Sequence, residues 1–172
     1  SATNKMVDVI TGVTLQLSQV TVEPVDINVE NDLEATQKNI QAFVDAYNAL
    51  NTTLADSTKY DAAAKKGGLM QGDSTTVGLQ NALRSMLGST SVGSTYSRLS
   101  DIGIERQTDG SLKVNATKLT GAIQNLDNVK NLFATNNSNP ATNGCGLKVR
   151  DFARGLVAAD GLVSNKSTAL QG

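Results

Sequence analysis

The chain has 172 residues, 39% of them hydrophobic but only 3% aromatic, with no Trp, no His, a single Cys and a net charge of −1. That is room for one ordinary domain, or one plus an appendage, around an aliphatic core. The charge argues against a broad basic footprint for nucleic acid or anionic lipid. The missing His removes Ser-His-Asp and Cys-His catalysis, and one Cys makes neither an internal disulfide nor a zinc cluster. No stretch approaches the ~20 apolar residues of a membrane span, and no signal peptide opens the chain. The abrupt start, in sequence that already reads as mid-strand, gives the expectation of a fragment.

Residues 4–17 alternate apolar and polar side chains at Val7 and Val9, then at Val13, Leu15 and Leu17. Period two predicts strand, with a bulge or bend at Gly12. Residues 20–29 predict a second strand with Val25, Ile27 and Val29 on one face, at an edge because Pro24 donates no ladder bond. Two strands alone are marginal, so this piece is expected to need further strands from elsewhere.

Asn31–Lys59 carries Leu33, Thr36, Ile40, Phe43, Tyr47, Leu50 and Leu54 in alternating steps of three and four, the stripe of an α-helix. Asp32 is placed to cap it and Glu34 suits its first turn. The stripe reads as core packing, the source of most helix stability, with a coiled-coil seam as the alternative. Tyr60–Asp73 predicts a long, mobile loop. Asp73 or Ser74 can cap a helix over 74–87 with Val77, Leu79, Leu83, Met86 and Leu87 inward and Gly88 at C′. Low-complexity residues 88–97 predict loop. Thr108-Asp109-Gly110-Ser111, between Ile102 and Ile104 on one side and Leu112 and Val114 on the other, predicts a β-hairpin. Asn115 caps a helix carrying Leu119, Ile123 and Leu126, and Asp127 a shorter one with Val129, Leu132 and Phe133. Residues 134–146 are turn-formers. A last helix over 147–170 carries Val149, Phe152, Leu156, Ala159, Val163 and Leu170 and is expected to bend or break near Asp160-Gly161. The first and last stripes are expected to face each other, antiparallel, with the 74–87 helix alongside. The predicted class is α+β: antiparallel helices plus a small hairpin, preceded by a two-stranded β segment.

No constellation for chemistry stands out, and the chain is expected to be no enzyme and to hold no metal or cofactor. Cys145 sits among Asn, Gly and Pro and reads as a tolerated loop thiol without a base to activate it. Gly67, Gly68 and Gly72 lack the Lys-Ser/Thr of a phosphate loop. Acidic residues are scattered, with no calcium loop. Asn51, Asn115, Asn136 and Asn165 open glycosylation triplets that a chain rich in Asn, Ser and Thr produces by chance.

The words of the chain say more than its periods. Gly12-Val13-Thr14-Leu15-Gln16-Leu17, then Thr21-Val22-Glu23-Pro24-Val25, then Phe43-Val44-Asp45-Ala46-Tyr47-Asn48-Ala49-Leu50 run in the order found in the flagellar hook-associated protein 2 family, the bacterial filament caps. Gly68-Leu69-Met70-Gln71-Gly72-Asp73 looks like that family's G-x-L-x-G-D step. Leu99-Ser100-Asp101-Ile102-Gly103-Ile104 with Asp109-Gly110-Ser111-Leu112 looks like its hairpin, and Val129-Lys130-Asn131-Leu132-Phe133 like the helix after it. Each word is weak alone, but their order is specific, and the resemblance covers nearly the whole chain.

The resemblance implies a structural protein, exported through the flagellar channel with an export chaperone. It would be extracellular, at the filament tip, as a homo-oligomeric ring. Its partners would be its own copies, flagellin and hook-associated proteins, with no nucleic acid and no membrane insertion. It would hold flagellin in and let each new subunit insert beneath. Residues 1–30 would belong to a β-rich head and 31–172 to a helical leg, with coiled-coil segments beyond both ends. Cys145 departs from the cysteine-poor habit of such proteins. A secreted surface adhesin, with a role in cell adhesion, is the alternative, and flagellin or a hook–filament junction protein is another. Flagellin and the junction proteins lack the G-V-T-L-x-L strand placed just before F-V-x-A-Y-N.

Overall fold

The computed structural model describes residues 4–10, 13–62 and 65–158, apart from the side chains of Asp8 and Asp61. It divides into two units, Ser1–Asn31 and Asp32–Gly172. The fold is α+β.

In the first unit, β1 (Lys5–Ile10) and β2 (Val13–Gln16) form an antiparallel hairpin. Met6 lies opposite Leu15 and Val7 opposite Thr14, and the register slips between Val7 and Ile10. The irregularity is thus on β1, while Gly12 lies outside the described residues. The strand predicted at 20–29 is not formed, and residues 17–31 carry neither helix nor strand. Alternating valines favour a pleated surface only when a neighbouring strand supplies one. Among the described residues none pairs with this stretch, Pro24 withholds a donor, and Val20 and Val22 are 97% and 99% exposed.

The second unit begins with α1 (Leu33–Thr58), where an oxygen of Asp32 accepts from Ala35 N–H at 2.7 Å. Its buried line is Ile40, Val44, Tyr47 and Asn51. The sequence stripe runs one step to the side: Phe43 is only half-buried and Leu50 is 42% exposed. Periodicity finds a helix face but not its centre, which is set by what packs against it. Where a long loop was expected, β3 (Tyr60–Asp61) and β4 (Lys66–Gly67) pair antiparallel. The chain then folds back so that Gly68 and Met70 N–H groups reach the carbonyls of Lys59 and Ser57, each at 2.8 Å, satisfying the end of α1.

Asp73 caps α2 (Ser74–Gly88) through Thr76 N–H at 2.9 Å. Gly88 is the last helical residue rather than C′. The cap is Ser89, whose N–H and hydroxyl both reach the Met86 carbonyl, at 3.2 and 2.6 Å. A 3-10 turn, Leu99–Ile102, leads into the predicted hairpin, β5 (Ile104–Arg106) and β6 (Leu112–Val114). Asn115 caps α3 (Ala116–Ala122) through Lys118 N–H. The cap of α4 (Leu126–Ala134) is Asn125 and not Asp127, which sits in the first turn; Asn125 reaches Asn128 N–H at 3.2 Å. Residues 134–146 are more than turns. They hold a 3-10 turn, Pro140–Thr142, and the start of α5 (Cys145–Val157). The expected continuation of that helix through Val163 and Leu170, and its break near Asp160-Gly161, lie outside the described residues.

The core gathers Val44, Leu83, Leu87, Ile102, Ile104, Leu119, Ile123, Val129 and Leu132. The first and last helices do not form the expected face-to-face pair. Most of the packing of α1 is on β6 and α2, and most of that of α5 on α4 and α2. The Phe43 and Phe133 rings meet edge to face, centroids 5.8 Å apart, and tie α1 to α4. Leu119→Ala, at a fully buried side chain, is expected to cost about 2–5 kcal/mol in urea denaturation. Leu50→Ala is expected to stay within about 0.5 kcal/mol of the parent. Equal losses would mean that Leu50, and with it the predicted stripe of α1, is core.

Candidate interaction surfaces

One turn of α1 holds the hairpin by its backbone. The Asn48 side-chain amide donates to the Leu112 carbonyl at 2.9 Å and its oxygen accepts from Leu112 N–H at 2.7 Å. This two-way bond completes the outward edge of β6 as a third strand would. The Tyr47 hydroxyl donates to the Gly110 carbonyl at 3.0 Å, and the Asn51 amide to that of Asp109 at 3.4 Å. Burial pushes the Tyr47 phenol up, against the pull of Arg84 and Arg106. Gly110 has φ +85°, a left-handed conformation that favours glycine, and a Cβ there would also displace the Arg84 guanidinium, 2.7 Å away. The turn holds itself as well: the Asp109 carboxylate accepts from the N–H and hydroxyl of Ser111, at 2.8 and 2.7 Å, which lowers its pKa.

Asn and Ser side chains organise the loops in the same manner. The Asn137 amide donates to the carbonyls of Val92 and Thr142 at 3.0 and 2.7 Å, and the Ser94 hydroxyl to that of Asn128 at 2.7 Å. Asp101 accepts from the N–H groups of Ser97 and Arg98, each at 2.9 Å. Burial opposes its charge, but these bonds win and its pKa is lowered. Polar residues that composition alone assigns to a wet surface are thus partly loop fasteners.

The reactive groups singled out from the sequence are committed elsewhere. Cys145 is not a loop thiol: it opens α5, is 4% exposed, and burial pushes its pKa up to about 11 against the opposing charge of Lys148. Lys148 itself donates to the Ser89 hydroxyl and the Thr90 carbonyl, both at 2.8 Å. Gly68 N–H is spent on Lys59, so the glycine pair is no open phosphate cradle. Of the glycosylation triplets, Asn51 is buried in α1 and Asn115 caps α3; Asn136 is exposed, and Asn165 lies outside the described residues. Among the described residues no cluster of His, Cys, Asp or Glu could hold a metal, and no helix is long and apolar enough to cross a membrane.

What the surface offers is apolar side chains. Val20, Val22, Val25, Ile27 and Val29 are exposed in the first unit. In the second, Phe43, Ala46 and Leu50 of α1, Leu83 and Leu87 of α2 and Val149 of α5 line a half-open apolar groove of about 180 Å³. Its position explains the exposure of Leu50, and patches of this kind mark contact sites.

The described residues therefore assemble a scaffold: a helical body locked to a hairpin, with apolar side chains left at its surface. The chain belongs to the flagellar hook-associated protein 2 family, whose C-terminal family model matches residues 1–172. Flagellar hook-associated protein 2 of Salmonella typhimurium is 28% identical over 94% of this chain and 36% of its own length. The A-type protein of Pseudomonas aeruginosa is 34% identical over 77% of this chain and 29% of its own length. This chain thus spans about a third of the length of these relatives. The crystal structure of the D1-D2-D3 domains of the flagellar cap protein FliD from Escherichia coli has a TM-score of 0.82 at 28% identity, covering 96% of this chain and 45% of that one.

Asn48→Ala leaves both Leu112 backbone groups without a partner and is expected to destabilise the chain by about 1–3 kcal/mol, read by urea denaturation. The native Cys145 thiol should react slowly with iodoacetamide at pH 8 and readily once the chain is unfolded. Its folded pKa of about 11 lies above the ordinary 9.0. The thiol's share of stability is therefore complete below about pH 9 and lost as pH rises toward 11. Rapid native labelling at pH 8 would contradict its burial.

Proposed function

We propose that this chain is part of a non-enzymatic structural protein that caps the bacterial flagellar filament. In that role the whole protein promotes flagellin polymerisation beneath it and prevents flagellin from leaking into the medium. The observation that carries the reading is the likeness, over 96% of the chain, to a solved flagellar cap protein. The family assignment and the named relatives support it. The core, with Ile102 and Leu119 fully enclosed, is what a rigid scaffold needs.

In this reading residues 1–30 are the returning edge of a β-rich head and 31–172 are most of a helical leg. The valines exposed after β2 are the side that the rest of the head covers. The whole protein leaves the cell through the flagellar export channel with a chaperone, sits outside the cell at the filament tip, and closes into a ring of its own copies. Contacts in such a ring are individually small and act together. This chain by itself is therefore a monomer in dilute solution.

Two measurements test the proposal. Supplying the whole protein to a motile bacterium deleted for its filament cap should restore filaments and lower free flagellin in the medium; undiminished leakage would contradict the role. Sedimentation of this chain alone at micromolar concentration should give a monomer. A stable oligomer would place an intermolecular seam within the chain.

A further inference from the structure

Beside the hairpin lies a second pocket, also about 180 Å³ and half-open. Its floor is apolar: Leu87 at the end of α2, Leu99 in the 3-10 turn, Ile104 on β5 and Leu112 on β6, all buried. Its rim carries two guanidinium groups, Arg98 and Arg106, on exposed residues. Gly88 forms part of the wall, and a Cβ built there meets no atom within 4 Å.

Neither guanidinium makes an ion pair among the described residues, and the charge of Arg106 is felt only by the neutral Tyr47 phenol, whose pKa it pulls down. The carboxylates near them in sequence are occupied. Asp101 accepts from the Ser97 and Arg98 N–H groups, and Asp109 from Ser111. Glu105, next to Arg106 in β5, lies opposite Lys113 in the ladder, and alternation along a strand sends its side chain to the other face.

We propose that this pocket docks an acidic segment of a partner polypeptide. One apolar side chain of the segment enters over Leu87, Leu99, Ile104 and Leu112, and a flanking carboxylate is held by Arg98 and Arg106. Arginine forks suit carboxylates because two parallel N–H groups match two oxygens. An apolar floor between two such forks selects a carboxylate carried beside a hydrophobic side chain. A nucleic-acid backbone instead needs a row of cations, and this chain's 15 Lys and Arg are offset by 16 Asp and Glu. The proposal goes beyond the filament-cap reading and does not depend on it.

Fluorescence anisotropy of a labelled peptide alternating glutamate and leucine, titrated with the whole chain, tests the pocket. Saturable binding is expected, weakened about tenfold or more in the Arg98→Ala, Arg106→Ala double variant, since bonds to charged groups are the strong ones. Gly88→Leu keeps both arginines and fills the wall. It should abolish binding with an unchanged melting temperature, because the new side chain enters open space. A peptide with lysine in place of glutamate should not bind. The proposal is overturned if the parent chain shows no saturable binding, if both variants bind as the parent does, or if the lysine peptide binds equally. It is also overturned if a single-stranded oligonucleotide binds the parent more tightly than the acidic peptide and loses that binding in the same variants, which would make the pocket a nucleic-acid site.

Discussion

A hairpin of three paired positions cannot stand alone in water, and here its missing neighbour is a side chain. Asn48 offers Leu112 one donor and one acceptor in the geometry of a strand edge. With Tyr47 and Asn51 on either side, a single turn of α1 grips the backbone of residues 109–112. The helix gains a fixed partner for its buried line, and the hairpin gains a third layer. The floor beneath both, from Ile102 to Leu119, is then closed by the residues that flank the hairpin. Gly103 joins these parts. It takes φ +88° after the 3-10 turn, and its carbonyl accepts from Asn115 N–H at 2.8 Å, just where α3 begins.

This grip gives physical content to the words that carry the family resemblance. In Phe43-Val44-Asp45-Ala46-Tyr47-Asn48, the phenylalanine meets Phe133 of the later Val-Lys-Asn-Leu-Phe word, and the valine is core. The tyrosine and asparagine hold the Asp-Gly turn. These words were legible in the sequence because each of the three names a contact of the second unit's core. Helix α1, the Asp-Gly hairpin, and the caps at Asp32, Asp73 and Asn115 were legible for local reasons: a period, a turn dipeptide, a capping side chain.

What was not legible depended on distant neighbours. Asn51 reads as a helix-surface residue until the Asp109 carbonyl is brought to it. Val44 is buried, and Leu50 is not, because the hairpin and not α5 covers α1. The alternation at 20–29 looks like a strand but meets no strand to pair with. Asn125 outcompetes Asp127 as a cap because the helix begins two residues earlier than its charges imply. Cys145 has the local sequence of a loop, yet α5 turns it inward. The apolar groove between α1, α2 and α5 and the arginine-rimmed pocket beside β5 could not be read from spacing, since the first joins residues as distant as Phe43 and Val149 and the second Leu87 and Leu112. Both are products of the same locked scaffold, which leaves these surfaces firm enough to serve as contacts.

Asn48 acts as a strand edge for β6, and native-state amide hydrogen exchange at Leu112 is the sharpest check of that role. Its N–H faces away from β5 and would be open to solvent on a bare hairpin. If Asn48 accepts it, Leu112 should exchange as slowly as the core amides of α1 and α3. Exchange as fast as that of Val20 and Val22, in the exposed stretch after β2, would contradict the account.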